Sequence, residues 1–143
     1  MIAVDTSALM ASVLNEPEAD ACATALELEE RLLISAGTVA EALIVAGRRN
    51  VGEEMARLIE GLGLEIVSVT PASARRIAHA HEQWGKGVHP AALNFGDCFA
   101  YEIAQEHECR LLYVGKDFDG TDAPGLQGSS RSPDEQRESG IRR

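Results

Sequence analysis

The sequence predicts a three-layer α/β/α domain built on a central, mostly parallel β-sheet. Four short apolar runs recur along the chain, at residues 2–4, 32–34, 66–69 and 111–114. Each run is nearly continuous rather than alternating, which is typical of strands covered on both faces. Helical stretches separate the runs, and strands joined by helical crossovers favour a parallel sheet with helices on both sides.

The segments between the apolar runs predict the helices. Pro17 suits a first helical turn, and small apolar residues follow it at helical spacing. A pair of helices is divided near Asn50, and Thr70 can cap a helix whose first turn holds Pro71. The final helix begins at Asn94 or Gly96. These signals predict helices over 17–30, 38–48, 52–62, 71–83 and about 94–108.

Length and composition indicate one folded domain followed by a polar tail. A chain of 143 residues that is 45% hydrophobic can bury about 70% of its unfolded surface in one domain. We assign residues 1–122 to that domain. Residues 123–143 contain only Ala123, Leu126 and Ile141 as aliphatic residues, and so predict a flexible C-terminal tail to which we assign no function.

The charge and cysteine content narrow the class of protein. The net charge of −10 argues against binding nucleic acid through bulk positive charge, although a nuclease with an acidic, cation-binding site stays compatible with it. Cys22, Cys98 and Cys109 are odd in number and widely spaced, which predicts a reducing cytoplasm rather than a disulfide framework. No apolar run approaches the ~20 residues that span a bilayer, so we expect no membrane association.

Acidic residues stand where the predicted strands end. The carboxyl ends of parallel strands meet at one edge of a sheet, where functional groups of such folds gather. Asp5 follows the first strand, and Glu41 falls in the first turn of the helix after the second. Asp97 opens the helix that leads to the fourth strand. Asp117 follows that strand, with Asp119 and Asp122 close behind.

Each acid also has an ordinary structural interpretation. Asp5 can cap the next helix, and Thr38 to Glu41 matches a capping box. Asp97 in a first turn is favoured by the helix dipole, and Asp117 is typical of a turn. Four independent caps at the same end of one sheet would be a coincidence, however. A shared function is the alternative that accounts for all four.

A divalent cation gives a physical reason to cluster carboxylates. Crowded carboxylates repel one another, and without a cation some of them would take up protons. Mg²⁺ or Mn²⁺ removes that repulsion, because hard cations prefer oxygen ligands. The bound ion also lowers the pKa of a water nucleophile and neutralises charge that develops on a phosphodiester.

Four segments resemble PIN-domain ribonucleases, specifically VapC-type toxins. They are Ile2-Ala3-Val4-Asp5-Thr6-Ser7-Ala8-Leu9, the helix of Glu41, Asn94-Phe95-Gly96-Asp97-Cys98-Phe99-Ala100, and Leu111-Leu112-Tyr113-Val114-Gly115-Lys116-Asp117-Phe118. The opening Asp-Thr-Ser alone is weakly specific, whereas the ordered set over residues 1–122 is strongly so. The sequence departs from many relatives at Lys116, and its polar ending differs from their short apolar one.

The resemblance implies a Mg²⁺-dependent endoribonuclease, with Mn²⁺ as a substitute. By this likeness Asp5, Glu41 and Asp97 are the core acids, and Asp117 is the more variable fourth. Asp5 and Asp97 would bind the metal, and Glu41 and Asp117 would do so directly or through water. Water would attack phosphorus in line and leave a 5′-phosphate and a 3′-hydroxyl.

The resemblance also implies partners. A VapB-like antitoxin would cover the acidic pocket, and the chain would form a homodimer and a toxin–antitoxin hetero-oligomer. Lys86, in a Gly-flanked loop before the Asp97 segment, and Lys116, beside Asp117, are candidates for contacts to the RNA backbone. Two alternatives remain open: a phosphoacceptor receiver-like signalling domain, and a non-catalytic PIN-like binding module.

Overall fold

The computed structural model describes residues 1–125, which form four strands and six helices. In chain order the elements are β1 (Ile2–Val4), α1 (Thr6–Val13), α2 (Ala19–Leu28), β2 (Leu32–Ser35), α3 (Ala36–Arg48), α4 (Gly52–Gly61), β3 (Glu65–Val67), α5 (Pro71–Trp84), α6 (Phe95–Glu106) and β4 (Arg110–Leu112).

The four strands form one sheet in the order β3-β2-β1-β4, and every neighbouring pair is parallel. In β1, Ile2 pairs with Leu32 of β2 on one side, and Val4 pairs with Leu112 of β4 on the other. This confirms the predicted α/β class and parallel sheet. β3 and β4 begin one residue earlier than predicted and end two residues earlier, a difference ordinary for element boundaries.

Alternate residues of the strands pack into two separate cores, one on each face of the sheet. Ile2 and Val4 join the core beneath α1 to α4, whereas Ala3 between them joins the core beneath α5 and α6. β2 divides its apolar residues in the same way, so both faces of the central strands are covered. β3 lies at an edge, and its Ile66 is exposed.

Helix α1 is an element that the sequence-based assignment does not include. Asp5 caps it, and its residues Ala8 to Ala11 are all buried. A helix buried on every side shows no alternation of polar and apolar faces, so the usual 3.6-residue signal is absent. α1 begins one residue after Asp5, and it therefore holds Thr6 and Ser7 beside the carboxyl edge of the sheet.

Packing continues past residue 122. Ala123 is buried, the carbonyl of Pro124 accepts a hydrogen bond from Leu111 N at 2.9 Å, and Gly125 bridges to Leu111. The rest of the predicted tail lies outside the described residues. Within residues 1–125, none of the helices combines the length and apolar composition that a membrane crossing requires.

Candidate active site

Asp5 lies at the carboxyl end of β1 and is 4% exposed. It caps α1, because its Oδ2 accepts hydrogen bonds from Ser7 N at 3.0 Å and from Ser7 Oγ at 2.6 Å. The capping interpretation of Asp5 is thus confirmed, but it accounts for only one oxygen. Oδ1 is buried and accepts no hydrogen bond from any group in the described part of the chain. A buried oxygen of this kind indicates a missing partner.

Ser7 connects the carboxyl ends of the neighbouring strands β1 and β4. Its hydroxyl donates to Asp5 and accepts from Val114 N, two residues after β4, at 2.9 Å. The backbone N–H of Asp5 in turn donates to the carbonyl of Leu112 at 3.0 Å. These bonds fix the orientation of the Asp5 carboxylate relative to the segment that carries Asp117.

Asp97 is 6% exposed in the first turn of α6. It forms a capping box with Asn94: Asn94 N donates to Asp97 Oδ2 at 3.0 Å, and Asp97 N donates to Asn94 Oδ1 at 2.9 Å. Like Asp5, Asp97 has a structural role as well as a place in the acidic cluster. The reciprocal hydrogen bonds hold its side chain in one orientation.

Glu41 has a different local setting from the one predicted. α3 begins at Ala36 with Ser35 as its cap, so Glu41 lies in the second turn and the Thr38 to Glu41 capping box is wrong. Ser35 precedes Thr38 as a capping residue, and its Oγ accepts from Gly37 N at 3.2 Å. Glu41 therefore takes no part in capping α3, and its Oε1 accepts a 2.5 Å hydrogen bond from Thr6 Oγ1.

The acids that follow β4 separate into two groups. Asp117 is exposed and contributes to the electrostatics of the cluster around Asp5. Asp119 accepts a hydrogen bond from Tyr113 Oη at 2.6 Å, and Asp122 accepts one from Tyr101 Oη at 2.6 Å. These hydrogen bonds give Asp119 and Asp122 structural roles as tyrosine partners.

The predicted acids raise the pKa of the two buried ones among them, Asp5 and Asp97. Burial raises the pKa of Asp5 to about 6, and the charges of Glu41 and Asp117 add to this rise, whereas the hydrogen bonds from Ser7 oppose it. Burial likewise holds the pKa of Asp97 well above its usual value, reinforced by the charges of Asp5, Asp117 and Glu41. Chain segments far apart in sequence thus supply one acidic cluster.

The residues of this cluster suit a divalent cation that keeps part of its water shell. Among residues 1–125, no three Asp, Glu, His or Cys side chains are arranged to hold one ion together. The buried, unpaired Oδ1 of Asp5 and the raised pKa of Asp97 nevertheless fit a hard cation bound by one or two carboxylates. Mg²⁺ is commonly bound in that way.

The two lysines predicted to contact RNA are exposed near this edge. Lys116 precedes Asp117 in the turn after β4, and Gly115 enters that turn with φ of +99°. The backbone N–H of Lys86 donates to Leu93 O at 2.9 Å, which brings its loop alongside the residue before Asn94.

The sequence did not predict the roles of three residues that contribute to the site, namely Thr6, Ser7 and Gly96. Their signal in the sequence is position, because each adjoins or nearly adjoins an acid of the cluster. The hydrogen bond from Thr6 and the contact of Gly96 both reach Glu41, which is 35 residues from Thr6. Such contacts arise only when the chain is folded.

The structure is thus a parallel α/β domain with an acidic cluster at the carboxyl edge of its sheet, in which Asp5 and Asp97 are buried. Comparison with a known family agrees with this fold and site. A family model described as the PIN domain matches residues 2–124.

Curated relatives narrow the class. Ribonuclease VapC36 of Mycobacterium tuberculosis is 44% identical over 123 residues, which cover 83% of this chain and 88% of the relative. Ribonuclease VapC30 of the same organism is 35% identical over 122 residues, covering 83% and 93%. The chain belongs to the PIN-domain family and, within it, to the VapC ribonucleases.

Solved structures share the fold at low sequence identity. VapC20 of Mycobacterium tuberculosis, described as a sarcin-ricin loop cleaving toxin, has a TM-score of 0.71 at 13% identity, covering 89% of this chain and 99% of that one. VapBC2 from Rickettsia felis, bound to a DNA fragment from its promoter, has a TM-score of 0.65 at 20% identity, covering 89% and 98%.

The receiver-like alternative is wrong. In receiver-type sheets β1 lies between β2 and β3, whereas here β1 lies between β2 and β4, and β2 pairs with β3. A receiver domain would also carry adjacent acids after its first strand, whereas Asp5 lies between Val4 and Thr6.

Proposed function

We propose that this protein is a divalent-metal-dependent endoribonuclease and the toxin of a VapBC-type toxin–antitoxin pair, acting in the cytoplasm. The observation that carries the proposal is the buried Oδ1 of Asp5, which accepts no hydrogen bond within residues 1–125 and lies in a cluster with Asp97, Glu41 and Asp117. The names of the curated relatives support RNA as the substrate.

Asp5 and Asp97 would hold the cation, Mg²⁺ or Mn²⁺, and Glu41 and Asp117 would contribute directly or through water. When bound, the cation supplies a lowered pKa for the water nucleophile and compensation of charge on the scissile phosphate. We propose in-line attack of water on phosphorus, which leaves a 5′-phosphate and a 3′-hydroxyl.

The chain itself would supply preorganised carboxylates. Ser7 holds Oδ2 of Asp5, so Oδ1 is the oxygen left for the ion. Asn94 holds Oδ2 of Asp97, and Thr6 holds Oε1 of Glu41. Ligands fixed by such neighbours need little reorganisation when an ion binds. The exposed Lys86 and Lys116 would contact backbone phosphates beside the cluster.

We propose that a VapB-like antitoxin covers this pocket and that the chain forms a homodimer and toxin–antitoxin hetero-oligomers. VapBC complexes from Rickettsia felis and Salmonella typhimurium that share this fold support such an assembly. An antitoxin arginine would suit the pocket, because a guanidinium pairs well with carboxylates and would compete with the cation. Leu28 on α2 and Leu43 and Ile44 on α3 are exposed apolar residues available to partners.

The direct test is cleavage of total RNA by the purified protein with Mg²⁺ or with EDTA, followed by mapping of the new ends. We expect Mg²⁺-dependent cuts that carry 5′-phosphates, and their loss in Asp5→Asn and in Asp97→Asn. Asp20→Asn, an exposed acid of α2, is the matched control and should keep wild-type activity.

Two outcomes would contradict the proposal. Cleavage by both cluster variants at the wild-type rate would show that the acids do not carry the reaction. RNA binding without cleavage under any divalent cation would favour the non-catalytic binding module instead.

A further inference from the structure

Gly96 lies in the first turn of α6, directly against the carboxylate of Glu41. A Cβ atom added at residue 96 would overlap Oε2 and Cδ of Glu41 and would lie 2.7 Å from Oε1. Real Cβ atoms do not approach other heavy atoms so closely, so any side chain at this position requires the Glu41 carboxylate to move.

The backbone does not explain why residue 96 is glycine. Gly96 is helical and is not among the residues with positive φ, so an L side chain is compatible with its conformation. Glycine in a helix is less favourable than alanine. The structural reason is therefore space, and the group that fills the space is Glu41.

A second glycine brings the same two helices together. A Cβ added at Gly37, near the start of α3, would overlap the ring of Phe99 on α6, whose Cγ would lie 2.8 Å away. α3 and α6 thus approach closely at two points, and Glu41 fills one of them. Thr6 bonds the opposite oxygen of the same carboxylate at 2.5 Å.

We propose that Gly96 is a positioning residue for the RNA cleavage reaction: its missing side chain admits the Glu41 carboxylate between Thr6 and α6, beside Asp97. The inference rests on the proposed function, because it assigns to Gly96 the placement of an acid that the reaction uses. The effect of Gly96 on Glu41 would be steric, because glycine has no side chain that could contribute a polar group.

Alanine at residue 96 should displace Glu41 without unfolding the protein. The atoms that it would meet belong to the end of a flexible side chain, which can rotate away, and alanine favours the helix. The displaced carboxylate would lose the hydrogen bond from Thr6. A misplacement of about 1 Å in an active site can lower a rate by about 100-fold.

The experiment compares kcat/KM for RNA cleavage in Gly96→Ala, Glu41→Gln and the double variant. Gly47→Ala is the matched control, because Gly47 is a helical glycine of α3 and a Cβ there would meet nothing within 4 Å. We expect each test substitution to lower kcat/KM by about 10- to 100-fold, with the double variant no worse than the more severe single one. The control should stay within about twofold of wild type, as expected of a surface change away from the site.

A shortened acid should rescue the variant. Glu41→Asp retracts the carboxylate by one methylene, so it should raise activity in the Gly96→Ala background while lowering it in the wild-type background. A purely structural role of Gly96 would give additive losses instead. A crystal structure of metal-free Gly96→Ala should show the Glu41 carboxylate moved away from Thr6.

The outcomes separate this inference from the function on which it rests. If Glu41→Gln cleaves like wild type, the proposed role of Glu41 fails and the inference fails with it. If Glu41→Gln is impaired while Gly96→Ala cleaves normally, or keeps its carboxylate on Thr6, only the inference is overturned.

Discussion

Neutralising Asp5 should stabilise the metal-free protein at neutral and alkaline pH while abolishing its proposed activity. The pKa of Asp5 rises from 3.8 to about 6 in the folded protein, chiefly because the carboxylate is buried. Each pH unit of such a shift corresponds to about 1.4 kcal/mol, so ionisation of Asp5 destabilises the fold by about 3 kcal/mol.

The sign follows from the direction of the shift. A folded pKa above the unfolded one stabilises the protein below the unfolded pKa, and this stabilisation is lost as pH rises through the folded pKa. For Asp5 the loss falls between about pH 4 and pH 6. Asp97 shifts in the same direction and extends the loss to higher pH.

The assay is urea unfolding in EDTA, followed by the fluorescence of Trp84, the single tryptophan. At pH 8 we expect Asp5→Asn to be more stable than wild type by up to about 3 kcal/mol, with the difference vanishing near pH 4. The exposed Asp20→Asn variant should follow wild type throughout. Equal pH dependence in wild type and Asp5→Asn, or a less stable variant at pH 8, would refute the reasoning.

Three further substitutions test individual contacts. Ser7→Ala removes the hydroxyl hydrogen bond that lowers the pKa of Asp5 and keeps the one from the backbone N–H, so the acidic limb of the cleavage pH profile should move to higher pH; an unmoved limb would contradict the assignment. Tyr101→Phe breaks the hydrogen bonds to Asp122 and Trp84 and should lower the free energy of unfolding by about 1–3 kcal/mol in urea, with kcat/KM unchanged. Lys116→Ala should raise KM for RNA and weaken its salt dependence with little change in kcat; a change in kcat alone would argue against phosphate contact.

The sequence was sufficient to predict the sheet because its central strands are covered on both faces. Ile2 and Val4 enter one core and Ala3 the other, which produces the continuous apolar run that identified β1. The same uniform burial concealed α1, whose residues from Ala8 to Ala11 are all inside. Hydrophobic periodicity detects a helix with one buried and one exposed face, and α1 does not have such a pair of faces.

The candidate acids could be located from the sequence because they stand directly after predicted strands or in the first turns of predicted helices. The contacts around each acid could not be predicted in this way. Asp5 and Asp97 were expected at the carboxyl edge, and the structure brings them together there. The setting of Glu41 was misjudged because Ser35 caps α3 ahead of Thr38. Its contacts with Thr6 and Gly96 join segments distant in the chain, so they depend on tertiary packing that no local pattern records.

Binding of Mn²⁺ to the metal-free protein, followed by electron paramagnetic resonance, asks most directly whether the clustered acids bind a cation. Wild type should bind Mn²⁺ at pH 7.5, with Mg²⁺ competing for the ion, and Asp5→Asn and Asp97→Asn should each weaken binding at least about tenfold, as loss of a carboxylate ligand would. Unchanged Mn²⁺ affinity in both variants would mean that these carboxylates do not hold the metal.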